Sequence, residues 1–143
     1  MTLFSRDALN EAAALVHQTV PPTPSFAWPL LAKRIGATVV VKHENHTPTG
    51  AFKVRGGLVY MDRLKHAHGG RLKGVISATR GNHGQSIAVG AAKVGVAATI
   101  VVPQGNSVER TRPCALLAPS WSRPATTSTP RARLPCVWPS NAG

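Results

Sequence analysis

At 143 residues the chain has the length of one domain, and 17 Lys/Arg against five Asp/Glu give it a formal charge of +12. That balance ordinarily points to nucleic acid or an anionic membrane, but the cations are scattered, aromatic residues make up only 5%, and no basic recognition motif occurs, so neither is expected as a partner. No run of about 20 apolar residues is present to span a bilayer, and the stretch Met1–Phe4, followed by Arg6 and Asp7, is too short for a signal peptide, so a cytoplasmic location is expected.

The first predicted element is a helix. Ser5 is a suitable N-cap, Asp7 favours the first turn, and Ala8, Leu9, Ala12, Ala13, Leu15 and Val16 carry it to about His17. Pro21-Pro22-Thr23-Pro24 ends it in an extended turn. A short helix follows from about Trp28 to Arg34, with Pro29 in its first turn and Gly36 as its stop. Three β-rich runs come next: Thr38–Val41, Gly74–Ser77 and Ala98–Val102. Each is apolar nearly throughout, which predicts strands buried on both faces of a parallel sheet. Two helix-length segments lie between them, about Phe52–His66 and His83–Val94, ended by Gly69-Gly70 and Gly95. The order β-α-β-α-β predicts an α/β fold, an open parallel sheet with flanking helices. Ligands of such sheets bind beyond the carboxyl ends of the strands, where His43–Gly50 and Thr79–His83 fall.

Composition changes near residue 110. Residues 1–110 hold all five acids and thirteen Lys/Arg, a net +8. Residues 111–143 hold no acid, four arginines, six of the twelve prolines and both cysteines. Apart from Ala115-Leu116-Leu117-Ala118, this tail lacks apolar periodicity, so it is expected to be disordered and foreign to the fold. Cys114 and Cys136 have no metal-ligand spacing. His17, His43, His46, His66 and His68 lack such spacing with carboxylates and read as surface or loop residues.

Two loops carry the chemistry. Lys53 stands in TGAFKVRG, at a helix start, just past Gly50 and Ala51 and beside Phe52. The partial positive charge of a helix N-terminus favours the neutral amine that imine formation requires. Gly56 and Gly57 then keep the next turn small. The second loop, Ser77 to Ser86, reads SATRGNHGQS. Gly81 and Gly84 permit positive φ and close backbone approach. The amides of the following helix start can hold a carboxylate or phosphate, and Thr79 and Asn82 add side-chain donors.

The segments VKHENHTPTGAFKVRGG and SATRGNHGQSIA resemble the fold-type-II pyridoxal-phosphate enzymes, the tryptophan-synthase-β-like superfamily, and within it the threonine/serine dehydratases. The likeness runs from about Leu9 to Arg110. It implies pyridoxal 5'-phosphate as cofactor and Lys53 as its Schiff-base lysine. It further implies that Phe52 lines the ring pocket and that Asn82 bonds the ring hydroxyl. Ser77, Thr79, Gly81, Asn82 and His83 would bind the carboxylate of an amino-acid substrate. The implied reaction is α,β-elimination of a β-hydroxy amino acid to a 2-oxo acid and ammonia, with Lys53 removing the Cα proton. Intact members are implied to be homo-oligomers. Serine racemase or another fold-type-II activity is the second enzyme reading. A basic fragment that binds nucleic acid through its arginine-rich tail is the non-enzyme reading.

Members of the family are much longer. Their glycine-rich phosphate loop and the group facing the pyridine nitrogen lie further on, and no such glycine run follows Gly105. The chain is therefore expected to be a truncated lyase, inactive alone. Back-translation with synonymous codons supplies a reason. The frame beginning at the last base of the Arg110 codon can read NAAMRALGAELVEAGDDFDA, the helix and strand expected after GNSVER. A one-base deletion at codon 110 is the resulting expectation.

Overall fold

The computed structural model describes residues 4–102 and the strand 135–138. They belong to two compact units, Met1–Phe52 and Lys53–Gly143.

In the first unit, helix α1 spans Arg6–His17. The Ser5 hydroxyl accepts the Ala8 N–H at 3.1 Å, satisfying one of the donors a helix start leaves orphaned. Strand β1 (Ser25–Ala27) and helix α2 (Pro29–Ile35) follow the proline-rich turn. Gly36 ends α2 at φ +77°, a conformation that disfavours any Cβ, and donates its N–H to Ala32 at 2.8 Å. That reversal returns the chain beside β1, so β2 (Val40–Lys42) pairs with it antiparallel, Ala27 opposite Val40. The first β-rich run thus stands in a two-stranded antiparallel sheet, not in the parallel sheet predicted for it. Val40 is 64% exposed, so burial on both faces fails here too. A 3-10 turn, Glu44–His46, follows. The Thr23 hydroxyl donates to Glu44 at 2.6 Å, and Lys42 Nζ donates to the Thr23 carbonyl at 2.9 Å. His43 is half-buried, its ring centroid 5.4 Å from that of Phe26 and 6.1 Å from that of Trp28, which makes it a packed residue more than a surface one.

The second unit contains α3 (Lys53–Ala67), β3 (Gly74–Ala78), α4 (Asn82–Lys93) and β4 (Ala97–Val101). Strands β3 and β4 are parallel, in register from Gly74 opposite Ala97 to Ala78 opposite Val101. Helix α4 makes the crossover and packs on the sheet, and α3 packs on α4. Met61, Ile87, Ala88, Ala91, Val96, Ala98 and Ile100 form the core between these layers. Both helices end where predicted. Gly69, Gly70 and Gly95 have φ of +57°, +75° and +69°. The Gly70 N–H reaches back to Lys65 and the Val96 N–H to Ala91, closing the last carbonyls of each helix.

Burial of β3 differs from expectation. Val75 and Ser77 are half-buried, but Ile76 on the opposite face is 78% exposed. Successive strand residues point to opposite faces, and among the described residues the helices cover only one of them. In the tail, Pro135–Trp138 forms β5, antiparallel to β4 with Pro135 opposite Val101. The edge of β4 offers unpaired backbone groups with which an extended segment can pair. The remaining tail and the break at residue 110 lie outside the described residues.

Candidate active site

The site is built on the first turns of two helices. The loop leading into α3 is tied internally: Thr47 Oγ1 donates to the Ala51 carbonyl at 2.8 Å and accepts the Ala51 N–H at 2.9 Å. Thr47 is buried, and Gly50 turns the chain at φ +64°. Lys53 is then the first residue of α3, with an exposed side chain.

Residues Lys53, Gly56, Gly57 and Tyr60 recur at helical spacing along one face of α3 and border a cavity of about 590 Å3. Val75, Ile76 and Ser77 of β3 and His83, Ser86 and Ile87 of α4 complete it. The volume lies within the usual range for small-molecule sites, about 300–1,000 Å3. Its walls are mostly apolar, with an amine, an imidazole, a phenol and two hydroxyls among them. Gly56 keeps it wide, because a Cβ there would meet nothing within 4 Å. Gly57 has another purpose. A Cβ there would fall 2.6 Å from the Ser86 carbonyl carbon, so its absence lets α3 and α4 meet backbone to backbone. Ser86 is 1% exposed and donates its hydroxyl to the His83 carbonyl at 2.8 Å, holding the first turn of α4 in place.

Of the residues singled out in the sequence, Lys53, Ser77 and His83 border the cavity together. Thr79, Gly81 and Asn82 do not line it. The Thr79 hydroxyl is turned into its own loop, accepting the Gly81 N–H at 3.2 Å. Asn82, the first residue of α4, is exposed, as is Phe52 at 63%. Neither glycine of this loop has positive φ. Gly81 is extended at φ −151°, and Gly84 is required instead for close approach, since a Cβ would come within 2.7 Å of both Ile100 Cγ2 and Thr79 Cγ2. Tyr60, Ile76, Ser86 and Ile87 were not foreseen. The seven-residue step from Lys53 would have found Tyr60, and the three- and four-residue steps from His83 would have found Ser86 and Ile87. Among the described residues no helix is long and apolar enough to cross a membrane, and no cluster of three metal-ligating side chains occurs.

Residues 16–119 match the family model described as pyridoxal-phosphate dependent enzyme. The chain is 38% identical over 94 residues to the L-threo-3-hydroxyaspartate ammonia-lyase of Saccharomyces cerevisiae, covering 66% of this chain and 28% of that protein. It is 36% identical over 94 residues to the biosynthetic L-threonine dehydratase of Escherichia coli, covering 66% of this chain and 18% of that one. Among solved structures, maize serine racemase superimposes with a TM-score of 0.69 at 27% identity, over 77% of this chain and 33% of that one. The chain thus spans no more than a third of the length of these three proteins. The matched span takes in both loops and all of the described parallel sheet, and on that match the chain belongs to the pyridoxal-phosphate dependent enzymes.

Proposed function

We propose that this chain carries the lysine-bearing portion of an ammonia-lyase that eliminates the β-hydroxyl of a small amino acid such as threonine or serine. The observation that carries the reading is the placement of Lys53, Ser77 and His83 on one cavity. The names of the ammonia-lyase and dehydratase relatives support it, because 3-hydroxyaspartate and threonine are both β-hydroxy amino acids.

The cavity suits pyridoxal phosphate. It offers a primary amine beside an apolar wall of Val75, Ile76 and Ile87, and the bare Gly56 leaves room for a flat ring. When bound, the cofactor withdraws electrons from Cα and so makes its proton removable. Lys53 would hold it, and the Lys53 amine would accept the Cα proton. The Ser77 hydroxyl and the Asn82 and His83 amides at the start of α4 would bind the substrate carboxylate, with Thr79 and Gly81 shaping the loop that presents them. By resemblance to the family, Asn82 would bond the ring hydroxyl and Phe52 would line the ring pocket. The apolar residues exclude water from the reacting carbons.

The test is direct. The full chain, supplied with pyridoxal 5'-phosphate, is assayed for 2-oxo acid release from L-threonine, L-serine and L-threo-3-hydroxyaspartate. Release that disappears in Lys53→Ala supports the lyase reading. The similarity to maize serine racemase favours a second reading, in which L-serine yields D-serine and no 2-oxo acid. Either activity surviving in Lys53→Ala would contradict both.

A further inference from the structure

Elimination of a β-hydroxyl requires two proton transfers, and Lys53 accounts for one. Resting on the lyase reading above, we infer that His83 supplies the other, as the general acid that protonates the departing hydroxyl.

The lining of the cavity narrows the choice. Its side chains with exchangeable protons are Lys53, Tyr60, Ser77, His83 and Ser86. Lys53 is occupied with the Cα proton. The Ser86 hydroxyl is committed to the His83 carbonyl at 2.8 Å. Ser77 is used for the substrate carboxylate, and Tyr60 stands two turns of α3, about 10 Å, beyond Lys53. His83 remains, on the same cavity as Lys53, and imidazole is the side chain most often used to move a proton in a transition state. The backbone around His83 is fixed on two sides, by the Ser86 bond and by the Gly84 N–H donating to Gly81 at 3.1 Å. Its exposed ring is therefore carried on a rigid first turn while remaining able to meet a ligand.

The step balances. The Cα–H bond breaks with its proton going to Lys53 Nζ, and its electron pair forms the Cα–Cβ double bond. The Cβ–O bond breaks with its pair staying on oxygen, which takes a proton from His83 and leaves as water. Lys53 returns its proton to His83 through solvent. The unsaturated amine product tautomerises and hydrolyses to a 2-oxo acid and ammonia.

The decisive comparison changes the leaving group. Chloride departs from β-chloro-L-alanine without needing a proton, whereas the hydroxyl of L-serine needs one. In the full chain with pyridoxal 5'-phosphate, His83→Gln is expected to lose turnover of the two substrates unequally, the loss on L-serine exceeding that on β-chloro-L-alanine by about 100-fold or more. Equal loss on both substrates, or loss on neither, overturns the assignment while leaving the lyase reading intact. A parent chain that releases no 2-oxo acid from either substrate matches the inactivity expected of a chain that spans no more than a third of these relatives, and the assignment is then decided by the second readout. A second readout is independent of turnover. Carbethoxylation of His83 by diethyl pyrocarbonate, mapped by mass spectrometry, is expected to slow when pyridoxal 5'-phosphate and L-serine are present, with His66 and His68 unchanged. Equal modification of His83 with and without the ligands also overturns it.

Discussion

Adding one methyl group to α3 should have opposite effects at adjacent residues. At Gly57 the new Cβ would lie 2.6 Å from the Ser86 carbonyl carbon, 2.9 Å from the Ser86 Cβ, and closer still to the carbonyl oxygen. These are mostly backbone atoms of α4, which no rotamer change can move. Relief to ordinary carbon contact distance requires the helices to part by about 1 Å. The separation would also loosen Met61, fully buried at this crossing, and the place where Gly90 meets the Gly57 carbonyl. Overpacking of this kind costs about 1–3 kcal/mol. The gain from replacing a helical glycine by alanine is about 0.5–1 kcal/mol. Gly57→Ala should therefore destabilise by about 1–2 kcal/mol net. At Gly56 no atom lies within 4 Å of the added Cβ, so only the helix gain remains and Gly56→Ala should stabilise by about 0.5 kcal/mol. Urea unfolding followed by far-ultraviolet circular dichroism measures both. Two variants that shift the midpoint in the same direction by the same amount would refute the backbone-contact reading of the crossing.

Thr47→Val removes the partner of the buried Ala51 N–H, while Thr49 at 3.2 Å still serves the carbonyl. It should cost about 1–3 kcal/mol and speed hydrogen exchange at Ala51; unchanged exchange would show that the bond is not maintained in solution. Lys65→Met deletes the 2.6 Å bond from Lys65 Nζ to the Val94 carbonyl at the end of α4. The expected loss is about 1 kcal/mol by the same unfolding assay, since a part-buried charged donor also favours a helix C-terminus. For the tail, the proposal of an out-of-frame reading beyond Arg110 makes a nucleotide-level prediction. Restoring one base at codon 110 should yield the peptide NAAMRALGAELVEAGDDFDA, and codons incapable of encoding it would contradict the proposal.

Much of the local structure was legible because it depends on signals near in sequence. Ser5, Pro29 with Gly36, and the glycines after α3 and α4 set helix ends through caps and φ values that a neighbouring few residues decide. The parallel pairing of β3 and β4 was legible from the intervening helix. Strand β2 was misplaced because its apolar run says nothing of which edge it meets, and its partner β1 is only three residues long. The exposure of Ile76 was missed for a related reason: an apolar strand reports its capacity for burial, while coverage is settled by elements far away in the chain. At the site, Lys53 and His83 announced themselves through the motifs. Tyr60 and Ser86 did not, because their place on the cavity follows from helix rotation and from the Gly57 contact between α3 and α4.

The central claim, that Lys53 is the Schiff-base lysine, is tested by borohydride reduction of the full chain with pyridoxal 5'-phosphate and peptide mapping of the trapped adduct. The chain offers Lys33, Lys42, Lys65, Lys73 and Lys93 as internal controls. The account predicts that labelling concentrates on Lys53 and is lost in Lys53→Ala. Label spread evenly over the six lysines, or label retained elsewhere at the same total in that variant, would contradict it.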